Sequence, residues 1–127
     1  MQKNETAKSA KEIVMEYLDA IKRKDWKAVR SYVSDDISVE GPGPGPSGLT
    51  TFKQAEPYMN YLEHGNPPAR LEIKKAFADS NDVCLLFDVT YLEPVTSFVC
   101  GWFHVNNDGK ISSVRFVLDP RPLFQQK

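Results

Sequence analysis

Histidine and cysteine are scarce in this chain, two of each among 127 residues. His64, His104, Cys84 and Cys100 fall at no familiar metal-ligand spacing, so neither a metal centre nor a cofactor is expected. A basic surplus is also missing. A net charge of −1 leaves nothing to neutralise a phosphate backbone, which argues against nucleic acid as a partner. Long apolar runs are absent too: Val83-Cys84-Leu85-Leu86-Phe87 is far too short to cross a bilayer. The opening Met1-Gln2-Lys3-Asn4-Glu5-Thr6 leads into no apolar stretch. A soluble, cytoplasmic protein with no membrane partner is therefore expected. In such a compartment Cys84 and Cys100, placed by their strand register on opposite faces of a sheet, are expected as two free thiols.

What is present is ordinary for a globular domain: 41% hydrophobic and 26% charged residues. The length suits one domain, residues 1–127, with a core that needs no staples. Ala10, Ile13, Val14, Tyr17, Leu18 and Ile21 recur at helical spacing, and Lys22-Arg23-Lys24 suits the helix C-terminus. Asp25 is placed to cap a second short helix carrying Trp26, Val29 and Val33. Ile37 to Glu40 alternates as a strand does.

Gly41-Pro42-Gly43-Pro44-Gly45-Pro46-Ser47-Gly48 cannot be regular structure and reads as a rim loop. It is no phosphate cradle, because its prolines delete the N–H groups a cradle uses. A third helix, capped by Thr50 or Thr51 and kinked or split at Pro57, should run towards His64-Gly65. Four strands follow: Arg70 to Ala78, Val83 to Leu92, Ser97 to Val105 and Lys110 to Leu118. The turns between them are short, so these neighbours should be antiparallel.

This order resembles the nuclear transport factor 2-like superfamily, and within it the SnoaL-like, ketosteroid isomerase-like and limonene epoxide hydrolase-like branches. The residues that carry the resemblance are Tyr17 to Ile21 through Asp25-Trp26, Asp35-Asp36-Ile37, and Gly101-Trp102-Phe103 through Asp108-Gly109-Lys110-Ile111 to Leu118-Asp119. The resemblance implies an α+β fold: a cone-shaped, curved antiparallel sheet with N-terminal helices on its concave face, a cystatin-like roll. It also places the functional positions of those branches. The isomerase-like helix tyrosine falls at Tyr17, but the general base falls at Gly41 and the oxyanion-hole acid at Gly101. The five hydrolase-like positions fall at Val39, Gly41, Leu86, Asp88 and Phe116, of which only Asp88 keeps its residue type. Neither reaction has its usual machinery.

The same register puts Val39, Gly41, Leu86, Asp88, Thr90, Val99, Gly101, Phe103, Val114, Phe116 and Leu118 on the concave face. Asp88 and Tyr17 are then the candidate catalytic pair, with Val39, Leu86, Phe103, Val114, Phe116 and Leu118 lining a ligand pocket. In such apolar company Asp88 should hold its proton more tightly than usual. A plain buried pair of Tyr17 and Asp88, satisfying each other in the core, is the structural alternative. His64, Asp36 and Asp119 read as capping or turn residues, and Trp26 as core. The convex face is expected to show Phe98, Cys100, Trp102 and His104 beside Val83, Leu85, Phe87, Val89 and Tyr91, an aromatic patch that suits a homodimer. Three functions follow: a binder of a small apolar ligand, an isomerase- or cyclase-type enzyme using Asp88 on a polyketide- or terpenoid-like substrate, or a dimerising module with a filled core.

Overall fold

The computed structural model describes residues 8–42, 49–65, 70–92 and 95–118. The Gly-Pro segment 43–48 and Asp119 therefore lie outside the described residues. So do the side chains of Tyr91 and Leu118.

Helix α1 (Ala10–Lys22) starts on a reciprocal cap. Ser9 accepts from the Glu12 amide at 3.1 Å, and the Glu12 carboxylate accepts from the Ser9 amide at 2.9 Å. Its C-terminus closes with two nested bonds, Lys24 N–H to Ile21 C=O at 2.9 Å and Asp25 N–H to Ala20 C=O at 3.0 Å. That closure puts Lys24 at φ 57°, a left-handed conformation usually given to glycine. Helix α2 (Trp26–Ser31) is capped as expected by Asp25, which accepts from the Ala28 amide at 3.2 Å.

Six strands form one open, curved sheet in the order β2-β1-β6-β5-β4-β3. They are β1 (Val33–Pro42), β2 (Leu49–Phe52), β3 (Arg70–Asp79), β4 (Asp82–Leu92), β5 (Val95–Val105) and β6 (Ile111–Leu118). All neighbours are antiparallel except β1 and β6, which run parallel. Thr50 and Thr51 belong to β2 rather than capping a helix. Helix α3 (Ala55–Asn60) begins after Gln54, which leaves Pro57 in the first turn. There its missing N–H costs no intrahelical bond, so no break occurs at proline. The chain instead widens into a π turn at Tyr61–Gly65. The α+β class and the curved sheet under N-terminal helices stand as expected from the sequence.

Helices α1 and α3 cover one face of the sheet, α1 over β3, β4 and β5, and α3 over β1 and β2. The core lies between. Its fully buried members include Val14, Tyr17, Val29, Ile37, Val83, Leu85, Phe103, Ile111 and Val114. Burying a large apolar side chain contributes about 1.5–3 kcal/mol, so this concave face supplies most of what holds the fold.

Candidate functional site

Directly opposed residues in a sheet share a face. Val83 pairs with Phe103, Leu85 with Gly101, Phe87 with Val99 and Val89 with Ser97. All are buried under the helices. The other parity pairs Cys84 with Trp102, Leu86 with Cys100 and Asp88 with Phe98, and it points outward. Val39, Val99, Gly101, Phe103, Val114 and Phe116 therefore stand on the concave face as the sequence pattern placed them.

Strand β4 does not follow that pattern. Leu86, Asp88 and Thr90 belong to the convex parity, while Val83, Leu85, Phe87 and Val89 fill the core instead of an exposed patch. The physical reason lies in the strand itself. Burying Phe87 and Val89 is favourable and burying the Asp88 carboxylate would be costly, so the pleat turns the apolar pair inward, while Thr90 on the outer parity is covered and bonded to Thr96 at 2.7 Å. Asp88 keeps 31% of its side chain exposed and sits 3.7 Å from Lys74, so it has a lysine partner on the outer parity in place of the apolar concave setting expected from the sequence. Asp88 and Tyr17 are not brought together.

Tyr17 finds a different partner. Its hydroxyl is fully buried and hydrogen-bonded to the hydroxyl of Tyr58, which α3 brings to the same place. Burial pushes the Tyr17 phenol well above its usual range, and the bond to Tyr58 offsets only part of that. The Tyr17 ring meets Phe103 edge-on at 6.0 Å, Phe103 meets Phe116 at 5.9 Å, and Phe116 meets Phe87 at 6.4 Å. A hydroxyl pair thus sits beside a cluster of aromatic rings in the core. Tyr58 was not singled out in the sequence. Its spacing from Met59 and Leu62 on one helix face was the available signal.

The two glycines at catalytic positions of related branches are both on this face. A Cβ on Gly41 would meet Phe116 Cβ at 3.5 Å. A Cβ on Gly101 would meet Phe103 Cε1 at 2.8 Å and Phe87 Cε1 at 3.3 Å, so aromatic rings occupy the volume an acid would need there.

One cleft, of about 380 Å³, opens between Lys22 of α1 and Arg70, Leu71, Glu72, Asp88, Thr90 and Thr96 of β3, β4 and β5. A second, of about 470 Å³, is an apolar groove on the convex face between Phe77, Cys84, Cys100, Trp102 and Val117. Phe77, Phe98, Trp102 and Val117 are each at least half exposed. At the groove's end Asp82 accepts from Trp102 Nε1 at 2.9 Å and lies 3.0 Å from His104 Nδ1. The Trp102 bond first, then His104, holds the Asp82 carboxyl below its usual range. His104 faces outward as expected. The two cysteines do not sit on opposite faces: both stand on this one, with their sulfurs 3.5 Å apart. Among the described residues no three His, Cys, Asp or Glu side chains cluster as metal ligands, and no helix is long and apolar enough to cross a membrane.

The SnoaL-like domain profile matches residues 14–114. The chain belongs to the SnoaL-like family. Among solved structures it is similar to an NTF2-like protein of unknown function from Cytophaga hutchinsonii, at 27% identity and a TM-score of 0.79. That match covers 98% of this chain and 100% of the other. It is also similar to an LEH-like epoxide hydrolase from M. tuberculosis, at 21% identity and a TM-score of 0.72, over 91% of this chain and 86% of that one. An NTF2-like protein of unknown function from Burkholderia xenovorans aligns at 17% identity and a TM-score of 0.73, covering 93% and 94%. At the latter two identities the likeness concerns the fold. No curated protein matches the chain.

Proposed function

We propose that this SnoaL-like domain binds a small, mostly apolar ligand inside the cone and holds it through the Tyr17 hydroxyl. The observation that carries this reading is the buried hydroxyl pair in an aromatic lining. Either hydroxyl can donate in this pair; in the arrangement where Tyr58 donates to Tyr17, the Tyr17 proton turns to an acceptor such as a ketone oxygen of a polyketide- or terpenoid-like compound. A single polar anchor among apolar walls is the usual build of a small-ligand site. Acid–base turnover is not part of the proposal, because Asp88 stands on the outer face and glycines occupy positions 41 and 101.

The test is binding of a panel of polycyclic and terpenoid ketones by calorimetry, with Tyr17→Phe beside the parent chain. Loss of one hydrogen bond of about 1–1.5 kcal/mol should weaken the best ligand roughly 10-fold. Equal affinity in both proteins, or no binding across the panel, contradicts the reading.

A second reading is favoured by a separate observation, the exposed Phe77, Phe98, Trp102 and Val117 on the convex face. An apolar patch of that kind suits a second copy of the chain, with Trp102 and Phe98 near the centre of a homodimer. Sedimentation should show Trp102→Lys as monomer where the parent is a dimer. A mutant that dimerises as well as the parent moves the interface elsewhere.

A further inference from the structure

Cys84 on β4 and Cys100 on β5 occupy diagonal positions of one hairpin, since Cys84 faces Trp102 and Cys100 faces Leu86. Their side chains lean towards each other until the sulfurs are 3.5 Å apart. Both thiols are free and partly exposed, and both line the apolar groove that opens on the convex face. The pair thus has proximity, a shared face and access for a small reagent. We propose that Cys84 and Cys100 form a reversible redox site, closing to an intrachain disulfide by exchange with a low-molecular-weight disulfide.

The chemistry balances without oxygen or metal. One cysteine, as thiolate, attacks a sulfur of the small disulfide RSSR, and one RS⁻ leaves and takes up a proton. The second cysteine loses its proton and attacks the protein sulfur of that mixed disulfide, and the other RS⁻ leaves. Two protein thiols are oxidised by two electrons, and one RSSR is reduced to two RSH. Closure needs the sulfurs to move about 1.5 Å nearer, to the bonding distance of about 2.05 Å. Diagonal neighbours of a hairpin have Cα atoms about 7–8 Å apart, so closure also draws the two strands locally together. Burial, and next the Cys100 thiol, raise the pKa of Cys84, so attack by that sulfur speeds up as pH rises and its thiolate forms. The product ties β4 to β5 on the outside of the hairpin whose inner residues Phe87, Val99 and Phe103 line the cone.

The experiment equilibrates the reduced, folded full chain in oxidised and reduced glutathione, followed by acid quench, alkylation and mass analysis. The expected product is monomeric on a non-reducing gel, lighter than the reduced chain by two hydrogens, and closed to alkylation at both positions. Proteolysis should yield one peptide pair joined through Cys84 and Cys100. Reduced glutathione should restore both alkylation sites, and the closed form should unfold several degrees higher than the open one. Cys84→Ser and Cys100→Ser should each abolish the internal bond while leaving one alkylatable thiol. Disulfides between chains, stable glutathione adducts on each cysteine, or two thiols that stay unoxidised in the folded protein each overturn the proposal.

Discussion

A single residue step along β4 and β5 separates two surfaces of different character. Val83 and Phe103 face each other fully buried beneath α1, whereas the next pair, Cys84 and Trp102, faces outward with Trp102 about half exposed. The inner surface is tightly coupled: Phe103 touches Tyr17 and Phe116, Phe116 touches Phe87, and the Tyr17 hydroxyl meets Tyr58. The outer surface is apolar in its middle and charged at its margins, where Arg115 Nε donates to Glu40 at 2.9 Å and Asp82 joins Trp102 to His104. Large side chains on the inner face hold the monomer together. Equally large ones on the outer face are available to a partner.

Truncation on the two faces should therefore differ most. Phe103→Ala removes a buried ring packed against two aromatic neighbours, Tyr17 and Phe116, and should cost about 3–5 kcal/mol in urea unfolding. Trp102→Ala, measured on dilute monomer, should change stability by no more than about 1 kcal/mol. Similar losses at both sites would erase the distinction between the faces.

Gly101→Ala sharpens the same contrast with one methyl group. The new Cβ would lie 2.8 Å from the Phe103 ring, and that ring is held between Tyr17 and Phe116, so it has little room to give. Overpacking of this kind should cost about 1–3 kcal/mol by thermal or urea unfolding. A neutral result would show that the inner lining is looser than the ring contacts indicate. Tyr17→Phe deletes one buried hydrogen bond and should cost about 1 kcal/mol, and Tyr58→Phe removes that same bond. The double variant should be less destabilised than the sum of the two, because both remove the same bond.

The smallest expected effect lies on the outer face and depends on pH. The folded pKa of Asp82 is depressed, so its contribution is present above the unfolded value near 3.8 and fades as pH falls through the lower, folded value. Asp82 is nearly half exposed, and water screens most of that contribution. Asp82→Asn should lower stability slightly at neutral pH and converge with the parent under acid conditions. A difference that persists unchanged to pH 2 would place its origin in something other than this carboxylate.

Much of this architecture is legible in the residues. Helical spacing marked α1, Asp25 marked the start of α2, and turn residues divided the last four strands. The parallel pairing of β1 with β6 and the short β2 were not legible, because both depend on partners distant in sequence. The inner faces of β5 and β6 were legible, but that of β4 was not read correctly. Val83 to Phe87 is apolar at every position, so that stretch carries no alternation to fix its parity. The signal lay further along, where Phe87 and Val89 alternate with Asp88 and Thr90. The resemblance instead places Asp88 on the concave face, and with it Leu86 and an opposite parity for the cysteines, whereas the alternation at Phe87 and Val89 matches the observed register. The Tyr17–Tyr58 bond joins α1 to α3, a contact that no local periodicity encodes.

The most direct test of a cone that binds ligand and an outer face that does not uses one sample. The tyrosine rings and tryptophan indoles are isotopically labelled, and NMR follows both while a ketone ligand is titrated in. The account predicts that the Tyr17 and Tyr58 resonances move together in a saturable way, while the Trp102 indole, 2.9 Å from Asp82 on the outer face, stays where it was. Saturable shifts at Trp102 with Tyr17 and Tyr58 unmoved would place the ligand in the convex groove and contradict the account.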